Sequence, residues 1–316
     1  MNQASLWLGQ SNKRTRRRVF LEEMDRVVPR PELVALVTES MPEGRRGRPL
    51  FAVAVMLRIN FMQHWFSLSD PAMEVALHDM ALFRDFAGLS GWDERVPDES
   101  SILRLRRVLE KHKLAPKILH NIDDLLRNKG LMLRVGTLVD ATLMAAPSST
   151  KNLKGERDPE MKQSKKGNRW YFRMKAHIGV NAQSGPVQTV RGTAGSVNDV
   201  TQANALLHGE ETQAFGDAGY QGTSKRKDAK PGVRWRIAMR PGNRQALDKD
   251  RGSNRLDDEP ERLKASIRAK VEHPFRVIKR KFGHVKVRYR GLSKNTTQLY
   301  TLSALSNLWM VRRALT

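Results

Sequence analysis

The stretch RVGTLVDATLM, residues 134–144, marks a change in the hydrophobic pattern of this chain. Before it, apolar residues recur at helical spacing, and from it onward short runs with many β-branched residues predominate. Asp140 stands inside this run, where burial makes a carboxylate costly unless it has a partner. The stretch therefore predicts the first strand of an α/β region and an acid with a specific partner. A salt bridge or a cap would be the purely structural explanation.

Upstream of this stretch the pattern is helical. We predict helices over 21–28, 32–40, 50–66, 70–89, 100–113 and 115–128. Asp70 followed by Pro71 predicts an N-cap and a proline at the first helical position, and Gly130 is typical of a helix end. These features predict an all-helical N-terminal domain, residues 1–130.

Downstream, the pattern predicts α/β order. Strands are expected over 134–144, 170–180, 187–193, 212–215 and 233–239, and helices over 197–207, 260–282 and 294–315. Pro274 should kink or break the second of these helices. Residues 147–169 and 241–259 are predicted loops. The order predicts an α/β domain with a mixed central sheet, residues 131–316.

The charge balance indicates a polyanionic partner. The chain has 57 Lys and Arg against 33 Asp and Glu, a formal net charge of +24. Such an excess favours nucleic acid, because neutralising phosphates releases condensed counterions. Without cysteine there can be no disulfide and no cysteine-based zinc site. The apolar run 50–66 includes polar residues and predicts a buried helix instead of a membrane span, so we expect a cytoplasmic, nucleoid-associated protein.

Two further acids stand in unusual settings. Asp217 follows a short predicted strand and precedes AGYQG, and strand ends are where α/β sheets bind ligands. Glu272 lies in a basic helix, in register with Arg268, Arg276 and Lys279. An ordinary turn aspartate and a solvated ion-pair ladder are the structural alternatives. With Asp140, the two acids can supply the oxygen ligands that Mg²⁺ prefers, and two such ions can drive phosphoryl transfer.

Three motifs carry a resemblance to a known family. Val139-Asp140-Ala141-Thr142, Gly216-Asp217-Ala218-Gly219-Tyr220 and Arg268-x3-Glu272-x6-Lys279 resemble the catalytic motifs of bacterial insertion-sequence DDE transposases, in the group typified by insertion sequence five. Ala265 departs from the tyrosine usual three residues before the arginine. The likeness extends over about residues 20–312 and includes the helical half.

The resemblance implies a ribonuclease-H-like catalytic domain. In it Asp140, Asp217 and Glu272 would be the catalytic residues and would hold Mg²⁺, or Mn²⁺ as a substitute, as two ions. The enzyme would bind double-stranded DNA with terminal inverted repeats, cleave at the element ends and transfer the 3′-hydroxyl to target DNA, as a possible homodimer on DNA. A metal-dependent nuclease or resolvase without strand transfer, and a non-catalytic DNA-binding repressor, are the alternatives.

Basic segments supply the candidate DNA contacts. The residues are Arg46, Arg48, Lys165, Lys166, Arg268, Arg276 and Lys279. Arg268 and Lys279 are assigned near the scissile phosphate by the resemblance. Arg46 and Arg48 resemble a hook that enters a narrow minor groove, although such a string is also typical of a loop leading into a helix with proline at its first position. The others lie in basic stretches that suit a phosphate backbone. Trp170, Tyr171 and Phe172 adjoin one of these stretches and could stack on bases. Alternation along a strand favours the core for these rings instead.

Overall fold

The computed structural model describes residues 14–41, 49–89, 91, 94–133, 136–166, 168–239 and 270–316. The predicted loop 241–259 and the residues Arg46, Arg48, Ala265 and Arg268 lie outside the described residues. For Lys166 the backbone is described and the side chain is not.

Seven α-helices precede the sheet in the part of the chain that the structure describes. They are α1 (Arg16–Val27), α2 (Arg30–Thr38), α3 (Val53–Phe66), α4 (Asp70–Asp79), α5 (Ala81–Ala87), α6 (Glu99–Lys111) and α7 (Leu114–Asn128). The predicted helix 70–89 is two helices. Met80 has an extended backbone, so it terminates α4 and precedes the first residue of α5. Helix α4 is capped by Ser69 and not by the predicted Asp70, because the Ser69 hydroxyl accepts a hydrogen bond from the Ala72 amide. Helix α3 is largely buried, and across the described ranges we find no helix suited to crossing a membrane.

A six-stranded mixed sheet follows. Its strands are β1 (Gly136–Ala145), β2 (Lys162–Lys166), β3 (Arg169–Asn181), β4 (Val187–Ala194), β5 (Gln213–Gly216) and β6 (Arg234–Ile237). Strand β1 pairs antiparallel with β3 and parallel with β5, and β5 pairs parallel with β6. The long β3 pairs with both β2 and β4, antiparallel in each case. The predicted mixed sheet is confirmed, and its topology is consistent with a ribonuclease-H-like fold.

Two segments differ from the prediction. Strand β2 lies inside the predicted loop 147–169. Its side chains are mostly polar and show no apolar alternation, so the strand is recognised by its pairing with β3. The predicted helix 197–207 consists of two 3₁₀ turns, Asp199–Thr201 and Ala203–Leu206. There the Asn198 and Thr201 side chains bond to nearby backbone groups, which competes with α-helical pairing.

The C-terminal helices pack beside the sheet. Residues 270–276, here α8, are helical and continue into a π-helical turn, Val277–Lys281; the last helix is α9 (Leu292–Leu315). Pro274 does not break α8. The π turn is closed by the Phe282 amide, which donates to the Val277 carbonyl at 3.0 Å.

One continuous apolar core joins the helical region to the sheet. The Phe20 and Trp309 rings are 5.1 Å apart, which packs α1 against α9. Buried Asn307 donates to the Asp123 carboxylate at 3.1 Å and to the Val187 carbonyl at 2.7 Å. Helix α9 therefore connects α7 and β4, and the helical region has a defined position against the sheet. The boundary near residue 130 remains a prediction.

Candidate active site

Asp140 lies on β1, and Asp217 directly follows β5, the parallel neighbour of β1. Strand β1 pairs with β5 so that Gly136, Thr137 and Leu138 lie opposite Gln213, Ala214 and Phe215. The same register, continued two residues further, brings Asp217 beside Asp140. Adjacent strands are about 4.8 Å apart, and residues opposite each other point to the same face. The two carboxylates therefore belong to one site.

A small cavity confirms this placement. It is lined by both aspartates together with Leu138, Val139, Phe215, Gly216 and Arg236. Both aspartates are half-buried. Arg236 lies on β6 opposite Phe215, and its Nε donates to Gln213 Oε1 at 2.9 Å. Sequence reasoning missed Arg236, because only the pairing of β5 with β6 brings it to the aspartates.

The segment after β5 is shaped around the Asp217 carboxylate. Asp217 Oδ1 accepts a hydrogen bond from the Gly219 amide at 2.8 Å and caps the 3₁₀ turn Ala218–Tyr220. A Cβ atom at Gly219 would lie 3.0 Å from that same Oδ1 atom. A Cβ atom at Gly216 would lie 3.0–3.1 Å from Tyr220 side-chain atoms. Both glycines are therefore required for close packing, which explains the spacing of this motif.

Tyr220 lies buried beneath the site. Its side chain packs with Val139, Ala203 and Leu206. Burial raises the pKa of its hydroxyl, and the negative charges of Asp140, Asp199 and Asp217 raise it further. The hydroxyl therefore remains protonated beside the carboxylates. Asp199 itself is held by Lys175, whose Nζ lies 2.9 Å from its Oδ1 atom.

Two lysines attach α8 and the π turn to the sheet. Lys270 Nζ donates to the carbonyls of Ala182 and Gln183 at 3.2 and 2.9 Å. At the other end of the segment, Lys279 Nζ donates to Thr142 Oγ1 at 2.7 Å and to the Leu143 carbonyl at 3.0 Å. Thr142 follows Asp140 by two residues and therefore shares its face of the sheet. Lys270 therefore attaches α8 to the turn after β3, and Lys279 attaches the π turn to β1 close to Asp140.

Glu272 is carried by α8 between these two attachments, and its side chain is exposed. It precedes Lys279 by seven residues, about two helical turns or roughly 10 Å along the axis. Within the described residues, no three Asp, Glu or His side chains are close enough to hold a metal ion together. The structure thus brings Asp140 and Asp217 together and leaves Glu272 outside that pair. Two adjacent carboxylates are nevertheless suitable hard oxygen donors for a divalent cation.

The candidate DNA contacts have different surroundings. Arg276 and Lys165 are exposed, whereas Lys279 is half-buried and bonded to β1. Lys281, in the same basic run, lies over the rings of Phe20 and Trp309 at 5.0 and 4.5 Å. Burial lowers the pKa of Lys281, and the nearby Arg312 lowers it further. Lys281 is exposed overall, but its ammonium group packs on these two rings, whereas Arg276 and Lys165 are the exposed candidates to meet phosphate.

The core interpretation of the aromatic run is wrong for two of its three rings. Trp170 is 64% exposed and Tyr171 43% exposed. Only Phe172 is half-buried and packs against the main core. The rings differ from the prediction because this part of β3 extends past the end of β1, and the described residues place no second layer over it.

Paired carboxylates on a mixed α/β sheet, beside a basic helix, define a class of enzymes that act on nucleic acids with divalent metal ions. The comparison with family models specifies the class. The chain belongs to the transposase DDE domain family, whose model matches residues 132–308. A second model, the transposase domain DUF772, matches residues 10–108. Membership supports an insertion-sequence transposase, a DNA-processing enzyme of a family that generally uses divalent metal ions.

Proposed function

We propose that this chain catalyses transposition of an insertion element of the group typified by insertion sequence five. It binds terminal inverted repeats, cleaves at the element ends and transfers the resulting 3′-hydroxyl to target DNA. The observation that carries the proposal is the register of β1 and β5, which brings Asp140 beside Asp217. The transposase domain that matches residues 132–308 includes both strands.

Asp140, Asp217 and Glu272 are the proposed metal ligands. Mg²⁺, or Mn²⁺ in its place, would supply activation of the attacking oxygen and charge stabilisation of the leaving oxygen, as two ions. The two aspartates hold fixed positions on the sheet. Glu272 is exposed on α8 and completes the set when DNA is bound. Its carboxylate must turn toward the aspartate pair, which α8 permits because the side chain is exposed.

Lys279 has a positioning role in this proposal. Its bonds to Thr142 and Leu143 hold the π turn against β1 two residues beyond Asp140. The helix that carries Glu272 is thereby fixed in relation to the aspartate strand. Arg276 is exposed one turn after Glu272 and is free of the constraint that holds Lys279, so it is the proposed phosphate contact on this helix.

The helical region, residues 1–130, is proposed to recognise the terminal repeat. Arg104, Arg107 and Lys111 are exposed on α6 at helical spacing and form a basic stripe on one face. Arg46, Arg48, Lys166 and Arg268 remain proposed DNA contacts from the sequence. A homodimer on paired element ends is proposed as the active assembly.

The test is cleavage and strand transfer by the full-length protein on DNA that carries the terminal repeats of its own element. Wild-type protein with Mg²⁺ should nick at the repeat end and join the 3′-end to target DNA. Asp217→Asn and Glu272→Gln should each abolish both steps and retain repeat binding. Glu32→Gln, an exposed glutamate on α2, is the matched control and should keep full activity.

Each outcome has a defined meaning. Cleavage without joining of precleaved ends would indicate a nuclease or resolvase. Repeat binding without cleavage by the wild type would indicate a repressor. Full activity of Asp217→Asn or Glu272→Gln would overturn the assignment of the metal ligands.

A further inference from the structure

Strands β2 and β3 form a two-stranded ribbon that extends beyond the sheet. The β2–β3 ribbon comprises Lys162–Lys166 and residues 169–173, paired antiparallel from Lys162 opposite Arg173 to Lys166 opposite Arg169. Pairing of β3 with β1 ends where Ala145 meets Arg173. Among the described residues, 169–171 therefore pair only with β2, and the side chains of Arg169, Trp170 and Tyr171 are exposed.

The base of the ribbon is firmly attached. Asp158 Oδ2 accepts a hydrogen bond from the Gly291 amide at 2.6 Å, and Glu160 accepts one from the Leu292 amide. These bonds attach the chain entering β2 to the start of α9. Within the ribbon, the Arg173 side chain is buried and donates to the Ser164 carbonyl at 2.9 Å. A ribbon fixed at its base projects in a defined direction.

The tip combines exposed rings with positive charge. Trp170 and Tyr171 are 64% and 43% exposed, and they point to opposite faces because they are adjacent in a strand. Lys165 lies opposite Trp170 and is exposed, as is Arg169. The sequence has no acidic residue from 161 to 198. Exposed rings among cations suit a nucleic acid, which offers phosphates at the edges of a groove and apolar base surface within it.

The distance from the ribbon tip to Asp140 can be estimated by counting residues along β3. Ile178 is opposite Asp140, and Trp170 precedes Ile178 by eight residues on the same strand. At about 3.3 Å per residue, the tip is roughly 26 Å from Asp140, beyond the end of β1. If β3 runs along the axis of B-form DNA, where base pairs are about 3.4 Å apart, this distance corresponds to about eight base pairs. A major groove is wide enough to admit a two-stranded ribbon.

We propose that the β2–β3 ribbon is a separate DNA contact that enters a groove of double-stranded DNA about eight base pairs from the cleaved phosphate. Trp170 and Tyr171 contact the groove floor or wall, while Lys165 and Arg169 contact the flanking phosphates. The inference rests on the proposed function and adds to it a contact surface outside the carboxylate site.

The first test uses cross-linking. Trp170 is replaced in the full-length protein by the photo-reactive residue p-benzoylphenylalanine, and the protein is irradiated on duplex DNA that carries a mapped cleavage site. The cross-linked nucleotide should lie roughly five to ten base pairs from the cleaved phosphate. A cross-link next to that phosphate, a cross-link only to a second copy of the protein, or none to DNA would overturn the inference.

The second test measures affinity for the same duplex. The double variant Trp170→Ala, Tyr171→Ala should weaken binding roughly fivefold or more, as expected for rings that contribute to an interface. Trp170→Phe, Tyr171→Phe keeps aromatic rings and should retain most of the affinity. Leu153→Ala, at an exposed apolar residue outside the ribbon, should bind as the wild type does.

Failure of the inference can be separated from failure of the proposed function. If the wild type binds, cleaves and joins DNA while the double alanine variant binds equally well, the ribbon inference is wrong and the transposase function stands. If the wild type does not bind the DNA, both are wrong. Thermal unfolding of the double variant is measured as well, because the Tyr171 ring lies 4.4 Å from the Arg173 guanidinium. Trp170→Ala alone, at a ring that is 64% exposed, should leave thermal unfolding unchanged.

Discussion

Replacing Asp217 by asparagine should weaken metal binding without reducing the stability of the folded protein. In the Asp217→Asn variant the amide oxygen can still accept the hydrogen bond that the Gly219 amide donates at 2.8 Å. The 3₁₀ turn that follows β5 should therefore remain intact. The substitution removes one of two adjacent negative charges and one oxygen ligand of the proposed metal site.

The expected magnitudes follow from the strand spacing. Two unit charges about 5 Å apart repel by roughly 3 kcal/mol at an effective dielectric constant of 20. Arg236 lines the same cavity and offsets part of this repulsion. Without metal, Asp217→Asn should therefore be as stable as the wild type or more stable by up to about 2 kcal/mol. At a Mg²⁺ concentration about 100 times Kd, the wild type should gain about 2.7 kcal/mol, and the variant far less.

The assay is denaturant unfolding of both proteins, with and without Mg²⁺, in the absence of DNA. Asp228→Asn is the matched control, because Asp228 is an exposed aspartate paired with Arg226 at 2.8 Å. The control should keep the stabilisation by Mg²⁺. If Asp217→Asn loses more than about 2 kcal/mol without metal, or is stabilised by Mg²⁺ as the wild type is, the reasoning is refuted.

Two further predictions concern other parts of the structure. Lys279→Met should reduce the free energy of unfolding by about 2–3 kcal/mol, because the hydrogen bonds from its charged ammonium group to Thr142 and Leu143 are lost. If the free energy of unfolding is unchanged and DNA binding is weaker, Lys279 is a DNA contact instead. Burial lowers the pKa of His64 to about 4 and that of His284 to about 3. In the unfolded chain each histidine has a pKa near 6.5, so as the pH falls the unfolded state binds a proton that the folded state does not. From pH 7.5 to 5.5 the free energy of unfolding should therefore fall by about 1.4 kcal/mol per histidine. An equal free energy of unfolding at both pH values would contradict this.

The three acids and their motifs could be found from the sequence because each signal is local. Glycines close to Asp217 and the apolar run around Asp140 are visible within a few residues. The meaning of Gly216 and Gly219 became clear only in three dimensions, where a Cβ atom would collide with Tyr220 or the Asp217 carboxylate. The sequence thus identified the motif, and the structure supplied the steric reason for it.

Polar strands and short turns were harder to predict. Strand β2 carries no apolar alternation, so its prediction as loop could be corrected only by its pairing with β3. The core was favoured for the rings at 170–172 because alternation should bury at least one of them, yet that pattern does not reveal whether a second layer covers the strand. Lys279 was assigned to DNA from its motif, while its contacts with β1 depend on how α8 packs.

The sequence by itself determined the helical first half, the mixed α/β second half, the basic character and the identity of the three acids, because periodicity, composition and short motifs are properties of neighbouring residues. Tertiary structure alone decided that Asp140 lies beside Asp217, that Arg236 joins their cavity and that the β2–β3 ribbon projects from the sheet. These relations join residues far apart in the chain. Strand register and packing set them, and no local pattern encodes either.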